Sequence, residues 1–182
     1  TGAGPVLETE LKTISGGQEV SQIKEGEILT YQVITKNTGS EPVESAKVKA
    51  VIPDGTVYLE EVIIEVDQGD GESEAGWNEV PDKKELEFEI ANLLPGQSIV
   101  NEYNVRVQKG TANSTISNTA ELQYGEVTKS SNEITTQIQQ GAMQLGITSV
   151  DAENNLQPGY VYRYNITLTN ISDSDLNNIS VK

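Results

Sequence analysis

The stretch "EILTYQVITKN" occupies residues 27–37. Leu29, Tyr31, Val33 and Thr35 recur at every second position and fall on one face. A period of two is that of a half-buried strand. Tyr, Val, Ile and Thr also suit a pleated surface better than a helix. Gly26 precedes the run and Asn37-Thr38-Gly39 follows it, so turn residues bracket the strand.

Working outward, the same alternation recurs. "VLETELKTI" (6–14) places Leu7 and Leu11 in step, and "SAKVKAVIP" (45–53) does so with Ala46, Val48, Ala50 and Ile52. "TVYLEEVIIEV" (56–66) is rich in β-formers. "ELEFEIANL" (85–93) sets Leu86, Phe88 and Ile90 against Glu85, Glu87 and Glu89. "SIVNEYNVRV" (98–107), "STISNTAELQY" (114–124) and "SNEITTQI" (131–138) complete the set. Turn signals separate these runs at Gly16-Gly17, Glu25-Gly26, Pro53-Asp54-Gly55, Pro95-Gly96 and Tyr124-Gly125. Short strands at this spacing predict an all-β antiparallel sandwich.

The opening phrase is written twice. "YQVITKN" (31–37) and "YNITLTN" (164–170) stand 133 residues apart, and that offset carries residues 23–49 onto 156–182 without a gap. Gly26, Tyr31, Asn37, Val48 and Lys49 meet Gly159, Tyr164, Asn170, Val181 and Lys182. This predicts one complete repeat over 6–139, a short linker at "QQGAM" (139–143), and the opening strands of a second repeat over 143–182. Some forty residues bury little core on their own, so the second segment is expected to need a partner surface.

Composition narrows the function. Cys and His are both absent, which removes disulfides, thiolate nucleophiles, imidazole bases and the usual zinc and copper ligands. Twelve Lys and Arg against 28 Asp and Glu leave a net charge of −16. Such a chain is a poor partner for nucleic acid or an anionic membrane surface. The acidity reads as solubility and mutual repulsion. No apolar run reaches transmembrane length.

"EGEILTYQVITKNTG", "VIPDG", "ANLLPGQS" and "ISNTAEL" follow one another in an order that resembles the tandem repeat of bacterial surface proteins called domain of unknown function 11. The matching motifs are Gly26–Tyr31, Asn37–Gly39, Ile52–Gly55, Leu93–Gly96 and Ile116–Ala120. The sequence departs from the family pattern before the Leu-Pro-x-Gly turn, where it has Ala50-Val51-Ile52-Pro53 in place of an Asp-containing run. The resemblance implies an immunoglobulin-like sandwich, extracellular at the bacterial surface or cell wall, used as a structural or adhesive stalk module and not as an enzyme. Its partners would be neighbouring repeats of the same chain or another copy, with a host matrix protein or glycan as a possible ligand. Two other roles stay open. Residues 143–182 could supply strands to a neighbour in a surface fibre, or the domain could be a carbohydrate- or matrix-binding module.

Candidate chemistry is sparse. In "DQGDGESEAGWNEVPD" (67–82) the carboxylates of Asp67, Asp70, Glu72 and Glu74 lie on a Gly-rich stretch. It reads either as a solvated hairpin loop or as a calcium site with these four as ligands, although EF-hand spacing is not met. Trp77, the only tryptophan, reads as a packing residue closing one end of the sandwich, with a sugar platform as the other possibility. Lys12, Asn132 and Glu87 or Glu89 are the residues that an intramolecular isopeptide bond could use. Strand parity turns Lys12 away from the Leu7–Leu11 face and argues against it. Asn113, Asn165, Asn170 and Asn178 each begin an Asn-x-Ser/Thr triplet, a glycan acceptor in a eukaryotic secreted chain and a by-product of Asn/Thr-rich strands in a bacterial one. Tyr31 and Tyr164 read as mid-strand aromatics whose hydroxyls could bond a backbone group near the sandwich edge. Gly39 and Gly55 permit positive φ, and Asn37 and Asn170 are expected to end their strands at turns that their side chains cap.

Overall fold

A computed structural model describes residues 4–65, 73–141, 143–149, 161, 163–170 and 179. Fifteen strands and no helix are found there: β1 (Leu7–Ser15), β2 (Gln18–Glu19), β3 (Gln22–Lys24), β4 (Ile28–Asn37), β5 (Val43–Val51), β6 (Thr56–Glu65), β7 (Ser73–Val80), β8 (Glu85–Leu93), β9 (Ser98–Val107), β10 (Thr115–Asn118), β11 (Ala120–Tyr124), β12 (Val127–Ser130), β13 (Ile134–Gln139), β14 (Met143–Ser149) and β15 (Tyr164–Asn170). The chain divides into two compact units, 1–139 and 140–182.

Unit 1 is an immunoglobulin-like, two-layered sandwich. One layer is a six-stranded sheet ordered β2-β1-β4-β9-β6-β7. The other is built from β12-β11-β5-β8, with a short three-stranded sheet β10-β13-β3 beside it. The opening stretch is the hub: β4 lies between β1 and β9, with Tyr31 opposite Thr13 on one side and Tyr103 on the other. Its alternation is the expected one, since Leu29, Tyr31, Val33 and Thr35 are buried while Thr30, Gln32 and Ile34 are half-buried. A single cluster joins both layers, with Leu7, Leu11, Leu29, Tyr31 and Val33 from β1 and β4 against Val48, Ala50, Ile90, Ala120 and Leu122 from β5, β8 and β11. Each such Leu or Ile contributes roughly 1.5–3 kcal/mol by leaving water.

The tyrosines differ from expectation. Tyr31 stacks on Tyr103 with ring centroids 5.3 Å apart. Its hydroxyl is buried with no hydrogen-bond partner among the described residues. The bonded hydroxyl belongs to Tyr103, which accepts from Asn118 Nδ2 at 2.7 Å. Burial raises both phenol pKa values, that of Tyr103 to about 12.

Asn37 caps its turn as expected, by accepting from Gly39 N–H on Oδ1 at 3.0 Å. It also does more. Nδ2 donates to Leu93 O and Glu41 O at 2.9 and 2.8 Å, so this fully buried amide ties β4 to the end of β8. Gly55 has the positive φ that glycine permits, at 84°. Gly39 does not, and its smallness has another cause. A Cβ there would lie 2.5 Å from Val6 N and 2.6 Å from Gly4 O.

The run 114–124 is not one strand. It breaks at Thr119, and the chain passes from β10, paired with β13, to β11, paired with β5 and β12.

Unit 2 shows one antiparallel hairpin. Met143 faces Asn170, Ile147 faces Ile166 and Ser149 faces Tyr164. In unit 1 the corresponding partners are Leu7 and Asn37, Leu11 and Val33, and Thr13 and Tyr31. Ile147, Tyr164 and Ile166 are 63%, 60% and 57% exposed.

Candidate functional site

Of the carboxylates proposed as calcium ligands, Asp67, Asp70 and Glu72 lie outside the described residues. Glu74 lies in β7, its backbone paired with Ile64. Residues 73–80, read from sequence as part of a loop, form a strand because β6 supplies a continuous antiparallel partner from Tyr58 to Glu65. Among the described residues no group of three or more acidic side chains could hold a metal ion.

The isopeptide constellation is not assembled. Lys12 Nζ is 3.9 Å from Glu10 and Glu19. Glu87 and Glu89 take Lys47 Nζ at 2.8 and 3.6 Å. That ammonium holds the Glu87 carboxyl below its usual range and is itself raised in return. The pair is exposed and adds little stability. Asn132 Oδ1 accepts from Leu11 N–H at 2.8 Å, and Nδ2 donates to Leu11 O at 3.1 Å. Asn132 therefore imitates a strand neighbour for β1.

The outward face of the six-stranded sheet carries more chemistry. Parity places Tyr58, which faces Val105 and packs on the core, inward. Leu59 and its partner Glu79 point the other way, with Trp77 two residues before Glu79 on the same side. From β4 and β9 the same face receives Thr30, Gln32, Glu102, Asn104 and Arg106. These side chains are paired across strands. Thr30 Oγ1 donates to Asn104 Oδ1 and Gln32 Nε2 to Glu102 Oε1, both at 2.6 Å. Arg106 Nε lies 3.0 Å from Glu79 Oε1, and an Arg106 terminal nitrogen donates to Gly26 O at 2.9 Å. Where this face meets the turns, Gly26, Val57, Glu79, Arg106, Val107, Gln108 and Lys109 line an open hollow of about 470 Å³.

Trp77 is not the end-closing packing residue expected from sequence. It is 40% exposed, on an edge strand, and outside the core cluster. Leu59 is 2% exposed and also outside that cluster, so it is buried on the outer side of the sheet, opposite Glu79. Sequence reading missed Arg106, Glu79 and Leu59 as neighbours because they come from three separate strands.

No family model and no curated protein matches the chain. Among solved structures it is similar to the CARDB domain of a Pyrococcus furiosus protein crystallised with di-metal ions, at 14% identity and a TM-score of 0.45, covering 75% of this chain and 96% of that one. It is also similar to the C-terminal domain of the Streptococcus agalactiae AgI/II polypeptide BspA, at 15% identity and a TM-score of 0.46, covering 71% of this chain and 49% of that one. The C-terminal domain of the Streptococcus pyogenes antigen I/II-family protein AspA gives 17% identity, a TM-score of 0.39, and 71% and 46% coverage. The chain thus spans about half the length of the two streptococcal chains.

Proposed function

We propose that this chain is a non-enzymatic, load-bearing spacer from a tandem array on a bacterial surface protein, with residues 6–139 as one repeat and 143–182 as the opening of the next. One observation carries the reading: in unit 1 the entering strand β1 and the leaving strand β13, held in separate sheets, exit at opposite ends. Leu7 sits beside Asn37, the end of β4, whereas Gln139 lies beside Lys24, just before β4 begins. Ten strand residues separate those ends by roughly 30 Å. β3 and β13 pair in parallel, Ile23 with Ile138, and Gln137 N–H and Glu25 N–H donate to Ser21 O and Gln139 O at 2.9 and 3.0 Å. Asn132 on Leu11, and Lys129 Nζ on Leu7 O at 3.0 Å, add cross-ties. Tension between Leu7 and Gln139 shears β1 along β4 and β13 along β3, so many hydrogen bonds resist together.

The repeat assignment is supported by unit 2, in which β15, the counterpart of β4, pairs antiparallel with β14 as β4 does with β1. Tyr164 and Ile166 occupy the places of Tyr31 and Val33, which unit 1 buries completely. The bacterial surface setting is supported by the motif order from Gly26 to Ala120. Protease shaving of intact source cells tests it. Peptides from residues 1–182 should be released without lysis, and their appearance only after lysis would contradict the reading.

A second reading is a fibre subunit that completes β14–β15 with strands of another copy. The exposed Ile147, Tyr164 and Ile166 favour it. Light scattering should then show size rising with concentration, whereas a constant monomer mass removes it.

A further inference from the structure

The outer face of the six-stranded sheet has features that a spacer does not require. Trp77 stands about 7 Å along β7 from Glu79, on the same side. Glu79 and Arg106 hold a carboxylate and a guanidinium side by side at 3.0 Å, and Gly26 O fixes the guanidinium from behind. Arg106 keeps further N–H donors and Glu79 a second oxygen for a ligand. Lys109, on the rim of the hollow, makes no ion pair among the described residues.

We propose that this face binds a neutral oligosaccharide, one ring stacked on Trp77 and the neighbouring ring's adjacent hydroxyls held by Glu79 and Arg106. Adjacent sugar hydroxyls offer a donor and an acceptor at hydrogen-bond spacing, and a carboxylate beside a guanidinium presents the complementary acceptor and donor. An indole stacks on the apolar C–H face of a sugar while its N–H stays wet. The hollow, at about 470 Å³, falls within the range of small-molecule sites. The net charge of −16 repels an acidic glycan and leaves a neutral one unaffected. The proposal is independent of the spacer reading, so either can fail alone.

The test titrates the full chain with cellotetraose, maltotetraose, mannotetraose and N-acetylchitotetraose. Trp77 is the sole tryptophan, so emission reports the site directly. Backbone-amide NMR shifts locate the contact. At least one probe should give a saturable change, with shifts confined to residues 57–59, 77–79 and 104–109. Trp77→Ala and Glu79→Gln should each weaken binding about tenfold, ~1.4 kcal/mol, with far-UV dichroism and melting unchanged. The proposal is overturned if no tetrasaccharide moves either signal, if the shifts map elsewhere, or if both variants bind as well as the parent. Tighter binding of a hyaluronan tetrasaccharide than of every neutral probe overturns the neutral class.

Discussion

Asn132 holds Leu11 by both main-chain polar atoms, accepting from its N–H at 2.8 Å and donating to its C=O at 3.1 Å. The side chain of one residue thereby fastens β1 to the segment that leads into β13, the last strand of unit 1. Leu11 is 1% exposed, so its main chain finds no ready substitute in water.

Asn132→Ala leaves a partly buried N–H and C=O unpaired. Unit 1 should lose about 1–3 kcal/mol. Urea unfolding should show a lower midpoint with an unchanged slope. Asn132→Asp keeps the acceptor, loses the donor, and should fall between the two.

Gly39→Ala tests a space requirement with no backbone strain behind it. The new methyl meets Val6 N and Gly4 O at 2.5 and 2.6 Å, so the N-terminal segment must move. A loss of about 1–3 kcal/mol is expected. Gly96→Ala, in open space at φ 82°, should cost only about 1 kcal/mol. Paired thermal melts rank the two.

Alkali should unfold unit 1 through its buried phenols. The folded-state pKa of Tyr103 is about 12 and that of Tyr31 is also raised, against 10.0 unperturbed. A folded pKa above the unfolded one gives stability that is complete below pH 10 and declines as pH rises towards the folded value. About 2–3 kcal/mol should be lost near pH 12 from Tyr103 alone. Urea midpoints measured from pH 9 to 12 check this, and Tyr103→Phe should flatten the decline.

Asn118 and Tyr103 form a buried bond between β10 and β9. A double-mutant cycle with Asn118→Ala and Tyr103→Phe should give a coupling of about 0.5–1.5 kcal/mol. Additive effects would show that the bond contributes nothing to stability.

The strands that face the core were legible because burial writes its period into the side chains. Leu29 to Asn37 and Leu86 to Ile90 read correctly for that reason. The switch at Thr119 was invisible, because Ile116, Asn118, Ala120, Leu122 and Tyr124 keep one inward parity while the hydrogen-bond partner changes from β13 to β5. β7 was hidden by its acidic, Gly-containing composition, since its pairing with β6 comes from tertiary structure and not from propensity. The outer face depends on Leu59, Glu79 and Arg106, and no local pattern brings three strands together.

The spacer account is tested most directly by stretching the chain in optical tweezers with handles at residues 4 and 139. Forced unfolding reports the unfolding barrier. Unit 1 should resist, then give one sharp rupture releasing roughly 450 Å of chain, and Asn132→Ala should lower the rupture force. Gradual lengthening at low force, or a rupture force that Asn132→Ala leaves unchanged, would contradict the account.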